Sequence, residues 1–505
     1  MGWLITPAET SNRPNLTLNS DNMTVDPSPS SVPNLRCLPR SVWLWTGGSA
    51  ILLFFCSSLR HALFQSSAFD LGWFDQAIYL LSQGQPPIVS FSGFHILGDH
   101  ASVIFYPIAL LYKIHPDVHW LFALQALALA GGIPLAWQLA RQAGLSLSLA
   151  SAVAFTYLLY PLVFNINLFD FHADVLVVPG IFGAVLALRS QKLLPFLAWI
   201  LLILSAKAVL SLTLIAFGLW VILFEQRKLY GAIVTGLSAI WFLISTQVIF
   251  PFYTGGEHAA VGRYQYLGDS VFEIIQNLLL QPNLILQPVF SGSSFEYLLL
   301  LIAPVLWSFS RRSLRFILPI LPQLALNLLS EAGTQRDLIH QYSLPILPFL
   351  ILAIVDALVH QKGWFQMRRN IVIWMLVSFV ALAKPGYFWT RYLGYWESRP
   401  ATQEVLQRVD SSGGVLTISN IAPHLSHRSL IRQTLSGMNP AEIEAYGYQY
   451  VLLNARYPGW GSDPGTHQAL VTYLSASAQF LETYNRDGVI LFERRSAPVT
   501  EDPVR

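Results

Sequence analysis

The sequence predicts an all-α polytopic membrane protein carrying a small α/β domain at its carboxyl end. Three observations predict it. Of 505 residues, 53% are hydrophobic and only 11% are charged, whereas soluble domains carry about 25% charged residues. The apolar residues are gathered into long runs separated by short polar stretches. Beyond residue 384 the runs give way to Gly, Asn, Tyr and mixed charge.

Residues 1–40 open on a Ser-, Pro- and Asn-rich stretch without the apolar segment of a signal peptide, which predicts a disordered cytoplasmic tail. The last ten residues, 496–505, are expected to be disordered too. Cys37 and Cys56 are the only cysteines and one sits in an apolar run, so no disulfide framework is implied. A net charge of +2 on so long a chain argues against a nucleic-acid partner.

Apolar runs occupy 42–58, 118–140, 147–164, 174–188, 193–206, 208–224, 230–250, 294–309, 315–330, 343–359 and 370–384. That makes about eleven spans, each near the roughly 20 residues a helix needs to cross the hydrocarbon. A further run, Ala101–Ile114, is shorter and carries Pro107, so it is expected to lie in the interface or re-enter. Residues 59–117 then form one outer loop containing juxtamembrane helices, within a membrane domain of residues 41–384.

The charges support this threading. With the amino terminus inside, the inner loops hold Arg36 and Arg40, Arg141, Arg189 and Lys192, Arg227 and Lys228, Arg311, Arg312 and Arg315, then Lys362, Arg368 and Arg369. Every basic cluster between spans falls on one side, as the positive-inside rule requires. The expected location is the plasma (inner) membrane, with residues 385–495 outside as the α/β domain.

The outer loops carry different chemistry. "FDLGWFDQA" brings Asp70 and Asp75, and "LGDH" brings Asp99 and His100. "FDFHAD" brings Asp170, His172 and Asp174, and Lys207 interrupts a long apolar stretch where two spans turn around. A fourth loop supplies Glu257, His258, Arg263, Tyr264, Tyr266 and Asp269, and a fifth Arg336, Asp337, His340 and Tyr342. Acids, bases and histidines on five outer loops point to an outward-facing active or binding cavity.

Each cluster has a plainer alternative. Asp70 suits the N-cap of a helix from Leu71 to about Ser82, closed by Gly84. Asp75 and Tyr79 share a face of that helix, with Asp70 well round from them. Gly98 permits a tight turn, and Asp99 with His100 suits proton transfer, metal binding or simple hydration. An extended "FDFHAD" points its three ligand-type side chains one way, whereas a helix groups Asp170 with Asp174. Such an oxygen-rich set suits Mg²⁺ or Mn²⁺ better than Zn²⁺. Lys207 either snorkels or, like Arg263 and Arg336, neutralises a phosphate. Tyr264, Tyr266 and Tyr342 suit an aromatic belt as well as a substrate contact. No P-loop, Rossmann fingerprint, nucleophile elbow or Cys-based zinc spacing is present.

"FDLGWFDQA", "LGDH", "LFDFH", "GRYQYLG", "HQYSLPILPF" and "PHLSHR" follow one another in register over residues 45–455. In these the chain resembles the polytopic prokaryotic family called domain of unknown function 2079, grouped with the GT-C superfamily of membrane glycosyltransferases. The resemblance implies a GT-C-like membrane domain, a polyprenyl-phosphate-linked sugar as donor, and membrane lipid as surroundings. By position it implies that Asp70 is the catalytic acid after the first span, and it matches Asp99, His100, Asp170 and His172 to the family's motifs. Asp174 lies outside that pattern. Lys207-Ala208-Val209 stands where the family commonly shows Lys-Glu-Asp, so both acids are replaced here.

In the carboxyl-terminal part, "GGVLTISN", "YGYQYVLLNAR" and "GVILFERR" predict strands, the last after the turn-like "NRDG", and 400–409 and 467–482 predict helices. His424, His427 and Arg428 of "APHLSHR" are expected either to face the membrane cavity or to lie on a surface loop. The leading functional expectation is a glycosyltransferase acting at the outer face. In it Asp70, Asp99 and His100 are catalytic, and Asp75, Lys207, Arg263, Tyr264, Arg336, His340 and Tyr342 bind substrate. Asp170 and His172 are candidates to hold Mg or Mn. A transporter or flippase, or an inactive scaffold of the same fold, are the rival readings.

Overall fold

A computed structural model describes residues 38–256 and 259–495. Most of the amino-terminal tail, the last ten residues, Glu257 and His258 lie outside the described residues.

Each of the eleven apolar runs is helical. Among the described residues, four helices are long and apolar enough to cross a membrane: Arg40–Ala62 (α1), His119–Gln142, Lys228–Thr254 and Gln341–Val359. Counting each of three bent pairs as one span raises that to seven. Length and composition therefore do not reach eleven. Leu193–Ala206 and Leu210–Leu223 have 14 residues each, about 21 Å of helix at 1.5 Å per residue.

Between α1 and His119–Gln142 the chain leaves the bundle and returns. A single π-turn, Ala68–Gly72, leads into the helix Trp73–Ser82 (α2), which ends at Gly84 with φ 71° as expected. A two-stranded hairpin follows, Ile88–Val89 (β1) and Phe94–His95 (β2). The helix Phe105–Ile114 has ten residues, too short to span. Gly98 does not supply the turn expected of it. Ala101 takes the left-handed conformation, φ 51°. Gly98 is needed for close approach, since a Cβ there would meet Thr254 Cγ2 at 2.9 Å.

The carboxyl-terminal domain is a five-stranded sheet in the order β4-β3-β5-β7-β6. Its strands are Val415–Thr417 (β3), Ile431–Gln433 (β4), Tyr450–Asn454 (β5), Phe480–Arg486 (β6) and Val489–Arg494 (β7). β3 runs parallel to β4 and β5, and the β6–β7 hairpin is antiparallel. Asp487 and Gly488, at φ 51° and 83°, close that hairpin, the left-handed pair a tight two-residue turn demands. The helix expected over 467–482 stops at Ala476 because 480–486 pairs as β6. Alternate residues face opposite sides. Leu416, Val451 and Ile490 pack under the helix Pro464–Ala476. Val415, Leu452 and Leu491 share a cluster with Phe64 and Ala68. The domain is therefore seated on the segment that carries Asp70.

Candidate active site

The site begins where α1 ends. Arg60, in the last turn of α1, forms a buried ion pair with Asp170. The other carboxylate oxygen of Asp170 accepts the Ser67 backbone N–H at 2.8 Å. This clamp fixes the chain that leaves the helix. Asp70 sits inside the π-turn that follows and is not an N-cap, since the α2 start has no side-chain cap. Its carboxylate accepts the Ser67 hydroxyl at 2.7 Å and faces His172 Nε2 at 3.4 Å.

His172 is almost wholly buried, whereas the Asp70 side chain is 29% exposed, so the carboxylate stays open to a substrate. The backbone is extended at His172, with φ −139° and ψ 132°. That settles the local geometry of "FDFH": Phe169 stacks on the imidazole at 5.3 Å and Phe74 meets it edge-on at 5.5 Å. The His172 N–H donates to Gln125 Oε1 at 3.2 Å. Burial pushes Asp70 upward, but the hydrogen bond and charge of His172 and the Ser67 hydroxyl outweigh it and hold it below the usual carboxylate range. Burial pushes His172 down, and Asp70 more than reverses this.

Asp99 stands in the same field. Burial raises it to about 6 against the opposing charges of Lys207, His172 and Arg263. His100 Nδ1 lies 2.9 Å from the Asp99 backbone oxygen and 3.5 Å from its carboxylate. The segment is strapped to the end of the helix Leu193–Ala206: the Ala208 N–H donates to His100 O at 2.9 Å, and the Ser102 hydroxyl to Ala206 O at 2.7 Å.

That helix end delivers Lys207, in extended conformation, into a cavity of about 340 Å³. Its lining includes His100, Asp174, Lys207, Arg263 and Tyr342, and the remainder is largely apolar, with Phe250, Ile274 and Leu326 on its wall. Lys207 Nζ lies 3.5 Å from Asp174 and 5.9 Å from the centre of the Tyr342 ring. Arg263 lies 5.4 Å from the same ring, and its Nη1 donates to the Tyr342 hydroxyl at 3.1 Å. Two cations thus converge on one tyrosine. Tyr264 also lines the cavity, with its hydroxyl 3.0 Å from Leu326 O.

Other expected residues lie elsewhere. Asp75 is 1% exposed. It accepts Tyr112 at 2.5 Å and the Ser426 hydroxyl, and meets His427 Nε2 at 3.1 Å, so it joins the outer domain to α2 and does not line the cavity. Tyr79 stacks on the same His427 ring at 4.7 Å. His424 likewise stacks on His61 at 3.9 Å, and Arg428 donates to the carbonyls of Leu425 and Gly413. Arg336 donates to the carbonyls of Ser330 and Leu328 and lines a second cavity, leaving two of the three expected cations in the first. His340 pairs with Asp337 at 2.6 Å and meets Phe169 edge-on at 4.5 Å, one ring away from His172.

The expected Mg or Mn ligands do not fit an ion as arranged. Both oxygens of Asp170 are taken by Arg60 and Ser67, and no three His, Cys, Asp or Glu side chains among the described residues are grouped to hold a metal. Two partners escaped the sequence reading. Arg60 lies past the 42–58 run, in what the sequence reads as the outer loop, but α1 continues to Ala62 and buries it, and a buried charge calls for a partner. Asp174 was legible only as a spare acid, and its pairing with Lys207 spans two loops.

Among curated proteins none matches the chain. The model of a family described as "Predicted membrane protein (DUF2079)" matches residues 60–491. The chain belongs to this family. This DUF2079 protein shares its fold with ArnT. The crystal structure of ArnT from Cupriavidus metallidurans bound to undecaprenyl phosphate superposes with a TM-score of 0.53 at 11% identity, covering 90% of this chain and 98% of that one. The apo ArnT structure gives 0.50 at 11% identity, covering 88% and 98%.

Proposed function

We propose that this DUF2079 protein is a membrane glycosyltransferase that moves a sugar from a polyprenyl-phosphate carrier to an acceptor hydroxyl at the outer face. The observation that carries the reading is that the acid–histidine pair and the cations of the cavity act on one carboxyl between them, Asp99. An open carboxylate backed by a histidine shares its electrostatic field with two cations that line a largely apolar chamber. Asp70 takes the acceptor proton as the hydroxyl oxygen bonds to the anomeric carbon. The bond from that carbon to the phosphate oxygen breaks, and its electron pair stays on the phosphate. The leaving phosphate thereby gains a negative charge, which Lys207 and Arg263 balance in a largely apolar cavity. The apolar wall suits the prenyl chain. The ArnT fold, seen elsewhere with undecaprenyl phosphate, supports the same carrier class. Asp99 and His100 set the charge between base and cations.

The orientation is part of the proposal. Three helices begin beside the site residues Asp174, Lys207 and Tyr342 and run to a basic cluster in which Arg189 pairs with Glu225 at 2.7 Å and Arg312 and Arg315 meet Asp356. These arginines come from loops expected inside. On this reading the amino terminus lies in the cytoplasm and the sheet domain outside. The test is photo-crosslinking of a polyprenyl phosphate to the purified protein, with transfer of radiolabelled sugar from the same carrier. Crosslinks mapping to the Arg263–Leu267 or Tyr342 segments are expected, and crosslinks confined to the outer helix surface would count against it.

A further inference from the structure

The second cavity, of about 280 Å³, joins three segments of the chain. Glu296 and Leu300 come from the helix Gly292–Ile302, and Arg336, Asp337 and Leu338 from the loop that leads to Tyr342. Leu382 and Lys384 come from the end of the helix Arg368–Leu382 and the turn after it. One buried side chain holds the wall together. The Asn165 amide donates to Leu338 O at 2.9 Å and to Leu382 O at 3.2 Å, while its oxygen accepts the Lys384 N–H at 2.9 Å. Asn165 is fully buried, so two of the three segments are pinned from inside.

The charges on this lining do not satisfy one another. Asp337 is fully engaged: Oδ1 accepts the N–H groups of Ile339 and His340, both at 2.9 Å, and Oδ2 holds His340 Nδ1 at 2.6 Å. Arg336 gives Nη1 to the carbonyls of Leu328 and Ser330, but its Nε is buried without an acceptor among the described residues. Neither Arg336 nor Lys384 pairs with a carboxylate among those residues, and Glu296 is exposed and pairs with neither. Two cations on one small cavity, one with an unfilled donor, call for an anion with several acceptor oxygens.

The surroundings indicate what carries that anion. Phe295, beside Glu296 on the same helix, is 70% exposed, and Leu299 is exposed with it. Val380, just before Leu382, is 78% exposed, and Val377 is exposed one turn earlier. In a chain that crosses a membrane, such apolar faces lie against acyl chains. The cavity is thus lined by the start of one lipid-facing helix and the end of another, with leucines from both and the two cations beyond them. A soluble anion has no use for Leu300 and Leu382, whereas a lipid phosphate uses the cations and the leucines together. We propose that this cavity is a headgroup site for an anionic phospholipid of the surrounding bilayer. Its phosphate binds Arg336 and Lys384, and the first segments of its chains rest on Leu300 and Leu382. The inference goes beyond the glycosyltransferase reading and does not rest on it.

The test is photo-crosslinking of the full chain in phosphatidylcholine nanodiscs doped with phosphatidylglycerol that carries a diazirine near its headgroup. Label is expected on Ser293–Leu300 and on Leu382–Lys384. Unlabelled phosphatidylglycerol should displace it, and extra phosphatidylcholine with the same chains should not. Lys384→Gln should weaken binding of the probe about 5-fold or more, the share of one cation at a lipid headgroup, and Lys384→Arg should keep it. The Lys384 side chain holds no hydrogen bond among the described residues, so its variants should fold even where Arg336→Gln, which frees the Leu328 and Ser330 carbonyls, does not. Label spread evenly over the lipid-facing helices, equal displacement by the two lipids, or an unchanged Lys384→Gln would overturn the inference. So would displacement by glycerol phosphate alone, which would make the ligand soluble. Displacement by a polyprenyl phosphate at lower concentration than by phosphatidylglycerol would give the site to the carrier instead. No arm requires sugar transfer, so the glycosyltransferase reading stands or falls separately.

Discussion

His172 Nε2 lies 3.4 Å from Asp70, while Nδ1 of the same ring lies 2.9 Å from the backbone carbonyl of Asp170. A carbonyl only accepts, so Nδ1 carries the proton, and the nitrogen facing Asp70 holds one only when the ring is charged. The raised value of His172 follows from this. Its stabilising share is complete below the unfolded histidine value of about 6.5 and is lost as pH rises through the raised folded one. The depressed Asp70 contributes in the opposite sense, present above about 3.9 and lost as pH falls through its folded value.

Asp70→Asn should therefore fold and insert, since Asp70 caps no helix, yet lose sugar transfer by about 10²-fold or more, the scale of general-base catalysis. Loss of the imidazolium makes Asp70 more basic, so kcat should climb as pH rises through the His172 value, and His172→Gln should flatten that climb. Full transfer by Asp70→Asn from a polyprenyl-phosphate donor would remove Asp70 from the chemistry.

Asp99, raised to about 6 by burial, faces Lys207 and Arg263. Above that pH its charge competes with a phosphate for the same cations. The Michaelis constant for the lipid donor should fall as the pH is lowered from 7 to 5 in wild type, and Asp99→Asn should make it pH-independent. Because the folded state holds this proton more tightly, stability gains as pH falls through about 6 and the gain is complete below the unfolded value. A donor constant that varies identically in Asp99→Asn would show that another group controls it.

Lys207 and Asp174 are both nearly buried, 3.5 Å apart. Lys207→Met leaves a carboxylate without its partner and should cost about 3 kcal/mol in thermal or denaturant unfolding. Adding Asp174→Asn should recover most of that stability without recovering donor binding. Recovery of both would make the lysine purely structural.

The apolar runs told where helices lie, because hydrophobic length is a local property. Strands β3, β5 and β7 were legible for the same reason. β6 was misplaced because Phe480–Arg486 becomes a strand only through its pairing with β7. The chemistry was half legible. Asp70, His172, Lys207, Arg263 and Tyr342 are residue types that stand out in oil, but which acid meets which cation depends on the fold. Arg60 belongs to Asp170, Asp174 to Lys207 and His427 to Asp75, partners separated by tens to hundreds of residues and invisible to spacing.

Asp75 illustrates the consequence. Its carboxylate ties Tyr112, Ser426 and His427 together across two domains. Asp75→Ala should lower stability by about 2 kcal/mol, as stranding buried donors does, while transfer per folded molecule drops less than about tenfold, below the general-base scale. Asp75 holds His427 above its ordinary value against burial, so this joint is strongest below the unfolded histidine value and loosens as pH rises through the folded one. The measurement is a melting curve at pH 5.5 and 8.5, where the gap between wild type and variant should shrink at the higher pH. Loss of turnover on the scale of Asp70→Asn would return Asp75 to the active site.

The threading makes the last prediction. Arg312, Arg315 and His360 gather on Asp356 near the end of the helix Leu347–Val359, whose other end adjoins Tyr342 of the site. From this cluster the chain enters Arg368–Leu382 and emerges at Pro385, from which it leads on to the sheet domain. Arg368–Leu382 has 15 residues and bends by 40° into the next helix, so it must cross with that bend or not at all. Its entry is flanked by Lys362, Arg368 and Arg369, the charge signature of an inner end. Reporter fusions after Lys362 and after Pro385 should report opposite sides, the first cytoplasmic and the second outside. The same side for both would undo the crossing, reverse the sheet domain, and separate Asp70 from an outer-leaflet carrier.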